Sequence, residues 1–84
     1  MQYVYLLSSS NDGRLYVGCT ENLKTRLELH NKGVVKSTKG YRLWRLVYYE
    51  AYTAKLDATK REKQLKMHAA KSELVGRLKL SLKS

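Results

Sequence analysis

The stretch GRLYVGCT, residues 13–20, decides the fold. It opens on a glycine, alternates apolar side chains and stops at a polar threonine. Successive side chains of a strand point to opposite sides, so Leu15, Val17 and Cys19 share one face, and Tyr16 and Gly18 share the other. Upstream, QYVYLLS at residues 2–8 is apolar at both sets of alternate positions, the pattern of a strand covered on both sides. Tyr3, Tyr5 and Leu7 fall on one of those sides. Between the two segments, Asn11, Asp12 and Gly13 supply the turn chemistry of a hairpin. Two antiparallel strands therefore open the chain, with a tyrosine on each.

Working outward, Thr20 is placed to cap a helix over residues 21–31, and Gly33 is placed to end it. Leu23, Leu27 and His30 recur at helical spacing, with Arg26 beside them. The following loop, NKGVVKSTKGYR, holds four cations and no acid, and reads as exposed and mobile. LWRLVYYEAY, residues 43–52, is aromatic and β-branched enough for a third strand. Thr53 is placed to cap a helix running to about residue 68. Leu74, Leu78 and Leu82, at steps of four, suit a last helix, which Gly76 weakens, and LKLSL alone also suits a strand. The expected architecture is α+β, a small three-stranded antiparallel sheet flanked by helices in the order β-β-α-β-α-α.

Eighty-four residues suit one domain, spanning 1–84, with no second core. No apolar run is long enough to span a membrane, and no leader pattern opens the chain, so the expectation is a soluble, cytoplasmic protein. One cysteine, Cys19, cannot form an internal disulfide, which agrees with a reducing compartment. Seventeen Lys and Arg against seven Asp and Glu leave a net charge of +10. The excess runs along the whole chain, which attracts polyanions and points to a nucleic-acid partner. Lys36, Lys39, Arg42 and Arg45, interleaved with Tyr41 and Trp44, suit phosphate contacts with base stacking.

Three further residues stand where packing alone does not explain them. Glu62 falls in the stripe Ala54, Ala58, Leu65, Ala69, where a carboxylate needs a cation, either Lys66, an arginine or a metal. Arg26 and His30 project from one side of the first helix. The arginine offers a planar fork of donors to a phosphate, and the histidine can hold or release a proton. Each also has a plain structural reading, as do Tyr5 and Tyr16 within a packed sheet. Phosphate-binding glycine loops, paired metal-ligand spacings and nucleophile elbows are missing from the sequence.

Taken in order, Tyr3-Val4-Tyr5, Tyr16-Val17-Gly18, Arg26, His30 and Glu62 resemble the motifs of the GIY-YIG nuclease superfamily. The likeness is to its small single-domain bacterial members, and through them to the UvrC N-terminal and homing-endonuclease catalytic domains. It extends over GYRLWRLVYYE to about residue 67. Tyr3 stands where the family's first motif has glycine, and valine replaces isoleucine in both motifs. The resemblance implies a metal-dependent endonuclease that hydrolyses phosphodiester bonds in DNA, in repair or recombination. It implies Glu62 as the ligand of one Mg²⁺ or Mn²⁺, Arg26 as the phosphate binder, and Tyr5, Tyr16 and His30 as candidates to position and deprotonate water. Gly18 is implied to be structural, letting the following helix sit close. No DNA-targeting domain accompanies the motifs, so a targeting protein partner is one expectation. The alternative is a non-catalytic nucleic-acid-binding module or partner-targeted adaptor of the same fold.

Overall fold

The two-sided apolar pattern of residues 2–8 is explained by strand order. In the computed structural model β1 (Gln2–Ser9), β2 (Leu15–Thr20) and β3 (Trp44–Tyr52) form one antiparallel sheet in the order β2-β1-β3. The central strand is buried from Val4 to Ser9. The structure describes residues 1–36, 38–41 and 43–83, the side chain of residue 83 excepted. Gly13, at φ 74°, makes the β1–β2 turn in a conformation that glycine adopts without a Cβ clash.

The helices are α1 (Leu23–Lys32), α2 (Lys55–Leu65), α3 (His68–Arg77) and α4 (Lys79–Lys83). Residues 39–41 form a single 3-10 turn. The chain is therefore α+β, as the sequence pattern indicates. Two cores lie on opposite sides of the sheet. On one side Val4, Leu6 and Val17 pack with Ala58, Leu65 and Leu74 of α2 and α3, and Leu15 and Cys19 join them. On the other, Tyr5, Leu7 and Trp44 pack with Tyr16, Leu23 and Leu27.

Several boundaries differ from expectation. The N-cap of α1 is Asn22, not Thr20: Asn22 Oδ1 accepts from Thr25 N–H at 3.1 Å. Thr20 Oγ1 instead accepts from Asn22 N–H at 3.2 Å, holding the turn that leads into the helix. Gly33 ends α1 at φ 78°, as expected. Ala54, not Thr53, precedes α2, with no side-chain cap. The helix expected to run to residue 68 stops at Leu65, and its stripe does not hold throughout: Ala58 and Leu65 are buried, whereas Ala54 and Ala69 are exposed. A straight helix would carry Leu74 about 13.5 Å beyond Leu65. The extended residue Met67 lets the chain turn, so that both leucines enter one core. Leu78 then separates α3 from α4, dividing the single last helix in two.

The loop after α1 is also more tightly held than its composition suggests. Thr38 is fully buried, and its carbonyl accepts from Trp44 Nε1 at 3.0 Å. Asn31 clasps the Trp44 backbone, donating to its carbonyl at 2.9 Å and accepting from its N–H at 2.6 Å. These bonds fix the start of β3 against the end of α1.

Candidate active site

Strand pairing sets the first two candidate side chains. Tyr5 lies opposite Gly18, and Tyr16 lies opposite Leu7, all on the sheet face that α1 covers. The Tyr5 and Tyr16 rings stand 6.4 Å apart. Gly18 has a role different from the expected helix approach. A Cβ at that position would sit 2.5 Å from Tyr5 Cζ and closer still to its hydroxyl. The missing side chain makes room for the Tyr5 ring itself.

Helix α1 brings His30 and Arg26 onto the same face. His30 is fully buried, its ring 5.0 Å from Tyr16 and 5.9 Å from Tyr5. Its Nε2 is 2.9 Å from the Tyr5 hydroxyl, and its Nδ1 is 2.7 Å from Thr38 Oγ1. Thr38 Oγ1 donates to the Val35 carbonyl at 3.4 Å, which leaves it as acceptor for His30 Nδ1–H. Nε2 is then free to accept the Tyr5 proton, an assignment that follows from the network. Burial and the nearby Arg26 charge hold the His30 pKa below its usual value, so the imidazole is neutral near pH 7.

The Arg26 guanidinium lies against the Tyr5 hydroxyl, a contact that raises the pKa of the arginine. Its Nε is buried with no hydrogen-bond partner. A buried donor without an acceptor is costly, and it suits a site that receives an anion. Burial raises the Tyr5 pKa, with Arg26 opposing, so the phenol keeps its proton in the free protein.

Glu62 approaches from α2, which packs on the other sheet face. Its carboxylate pairs with Lys66 at 3.2 Å, one of the partners considered from the sequence. No hydrogen bond joins it to Tyr5, Tyr16, Arg26 or His30 among the described residues. Its charge nevertheless adds to burial in raising the pKa of both Tyr5 and Cys19. No group of three His, Cys, Asp or Glu side chains converges to hold a metal among the described residues. One partly exposed carboxylate is a hard oxygen donor. That donor suits Mg²⁺ or Mn²⁺, which retain waters and take substrate oxygens, and does not suit zinc.

The basic candidates separate. Lys36 and Lys39 are exposed. Arg45 donates to the carbonyls of Ser81 and Leu82 at 3.1 Å each, tying β3 to α4. Arg42 lies outside the described residues.

Sequence reading missed two groups. Thr38, which orients His30, gave no signal inside a polar loop. The other is Arg61, one residue before Glu62. It grips Glu50 of β3 through Nε at 2.9 and 3.1 Å and Nη2 at 3.0 Å. Tyr48 and Tyr52 donate to the same carboxylate at 2.6 and 2.5 Å. Burial alone would raise the Glu50 pKa, but hydrogen bonds from Arg61, Tyr48 and Tyr52 prevail and lower it. The Tyr52 phenol is correspondingly pushed up to about 12.

The chain that carries this face has counterparts among known proteins. Residues 1–74 match the GIY-YIG catalytic domain. The chain belongs to the GIY-YIG family. Among its relatives, UPF0213 proteins of Staphylococcus aureus strains Mu3 and N315 are each 40% identical over 73 residues, covering 86% of this chain and 88% of theirs. The solution NMR structure of a UPF0213 protein from Bacillus halodurans is similar in fold. Its TM-score is 0.56 and its identity 34%, with 94% of this chain and 86% of that one covered. GIY-YIG domains are generally divalent-metal-dependent endonucleases, which makes nucleic acid the substrate class of the family. No helix among the described residues is long and apolar enough to cross a membrane.

Proposed function

We propose that this chain is a GIY-YIG endonuclease that hydrolyses phosphodiester bonds in DNA at Tyr5, Tyr16, Arg26, His30 and Glu62, with a role in repair or recombination. The observation that carries this reading is the buried, unpartnered Nε of Arg26 beside the Tyr5–His30 hydrogen bond. An anion-seeking group and a proton-accepting pair stand together on one sheet face.

In this reading Arg26 binds the scissile phosphate and offsets the charge that grows on it in the transition state. A phosphate there also neutralises part of the charge that depresses the His30 pKa, making the imidazole a better base. Tyr5 and Tyr16 orient the attacking water. As the water oxygen bonds to phosphorus and the bond to the leaving oxygen breaks, Tyr5 takes the water proton and passes its own to His30 Nε2. Thr38 keeps Nε2 facing Tyr5 by accepting from Nδ1. Glu62 is the residue that would hold one Mg²⁺ or Mn²⁺, its present partner being Lys66. When bound, such an ion polarises the phosphate and stabilises the leaving oxygen. Lys36 and Lys39 contact flanking phosphates.

A cleavage panel of duplex, flap, junction and RNA substrates with Mg²⁺ and Mn²⁺ tests the proposal. Metal-dependent products that vanish with Glu62→Gln support it. No cleavage of any substrate by the wild-type chain overturns the enzyme reading. It would leave the non-catalytic binding module, which predicts salt-sensitive binding without metal.

A further inference from the structure

Helix α1 covers only part of the sheet face that carries Tyr5. The covered part holds Leu7, Tyr16, Leu46 and Trp44, which pack with Leu23 and Leu27. Beyond Tyr5 the register places Tyr3 opposite Thr20 and Ala51, and Tyr49 opposite Tyr5. Alternation keeps Tyr3, Tyr49 and Ala51 on the α1 side. There Tyr49 is 52% exposed and Ala51 is also exposed, whereas Tyr5 beside them is only 3% exposed. The Tyr3 and Tyr49 rings meet edge to face, with centroids 5.8 Å apart. An aromatic pair, Tyr49 exposed and Tyr3 half-buried, thus adjoins the residue proposed to orient water.

Charge on this face indicates what the pair meets. Glu50 is the sole acid in the three strands. It is turned to the opposite face and held by Arg61. The Tyr3–Tyr49 face therefore carries no carboxylate from the sheet. At the Tyr5 end of the face Arg26 presents its unpartnered Nε, while the Glu62 carboxylate, whose charge is felt at Tyr5, is paired with Lys66. A polyanion with flat apolar groups complements such a surface. Tyr3 lies roughly 7 Å along the strand from Tyr5, two strand residues. That spacing is of the order of one nucleotide step, which suits a strand with its phosphate at Arg26 and the neighbouring base at Tyr49.

We propose that Tyr49, braced edge to face by Tyr3, is a base-stacking platform for an unpaired nucleotide next to the phosphate held by Arg26, so that single-stranded or unpaired segments are the bound form. The proposal rests on the nuclease reading for the position of that phosphate. A duplex presents base edges and phosphates but keeps its ring faces stacked, and so cannot use the platform.

The test is fluorescence anisotropy with end-labelled single-stranded and duplex oligonucleotides in EDTA, which separates binding from cleavage. Because Tyr49 is exposed, its replacement leaves both cores intact. Tyr49→Ala is expected to weaken single-strand binding about tenfold, the loss of one stacked base. Tyr49→Phe is expected to stay within about twofold of wild type, since the ring face survives. Tyr49→Leu should behave as the alanine variant, and duplex affinity should not change. Unchanged single-strand binding by Tyr49→Ala overturns the platform, as does equal weakening on duplex or full rescue by leucine. If the wild-type chain cuts nucleic acid while Tyr49→Ala binds normally, only the platform fails. If the wild-type chain binds no nucleic acid, the nuclease reading fails and takes the platform with it.

Discussion

A single methyl group at position 18 tests the geometry around Tyr5. Gly18→Ala would set a Cβ 2.5 Å from Tyr5 Cζ, and the obstacle is a buried ring in a packed face. The ring must shift, which moves the hydroxyl away from His30 Nε2 and from Arg26. The expected cost is about 1–3 kcal/mol of folding stability, the usual range for overpacking. Urea denaturation measures this, and an unchanged midpoint would show that the ring yields freely. Cys19, beside Gly18, faces the other core, and burial with the Glu62 charge raises its thiol pKa. A raised pKa makes it a poor nucleophile, in keeping with a packing role.

Between elements, a dense polar tie joins α2 to β3. Arg61 donates three hydrogen bonds to Glu50, and Tyr48 and Tyr52 donate one each, which leaves the carboxylate no unmet demand. Glu50→Gln keeps the shape and removes the charge, and is expected to lose about 2 kcal/mol, as for hydrogen bonds to charged groups. The pH dependence has a definite sign. The folded Glu50 pKa lies below the ordinary 4.5, so its stabilisation is complete above pH 4.5. It is lost as pH falls through the folded value. Chemical denaturation between pH 3 and 7 should show that acid loss in wild type and a smaller one in Glu50→Gln; equal slopes would contradict the assignment. The tie also shows what sequence reveals and what it hides. The strands were legible because alternation at Leu15, Val17 and Cys19 depends on nothing outside them. The α1 face carrying His30 was legible from spacing for the same reason. Arg61 and Glu50 lie 11 residues apart on different elements, and either alone resembles a solvated surface charge. Thr20 and Asn22 are both capping residue types two positions apart, so the register of the first turn of α1 is not set by residue type alone. The break after Leu65 follows from a core that Leu65 and Leu74 build together, which no local pattern encodes.

Over the whole molecule, the net charge of +10 gives any nucleic-acid complex a strong salt dependence. Lys36 and Lys39 are exposed, and Lys36→Ala or Lys39→Ala should each lower the slope of log affinity against log salt by about 1. Arg45 has its guanidinium on the carbonyls of Ser81 and Leu82, so Arg45→Ala should leave that slope unchanged. Salt titrations of the three variants would contradict this division if Arg45 carried the larger effect. The central claim, however, is hydrolysis at the Tyr5–Arg26 face with Glu62 holding the metal. It is tested most directly by the initial rate of plasmid nicking in Mn²⁺ for wild type, Arg26→Ala and Glu62→Gln, with plasmid binding measured alongside. The account predicts metal-dependent nicking by wild type, a loss of about a hundredfold or more in each variant, and binding retained by Glu62→Gln. Wild-type nicking that persists at full rate in both variants would contradict it.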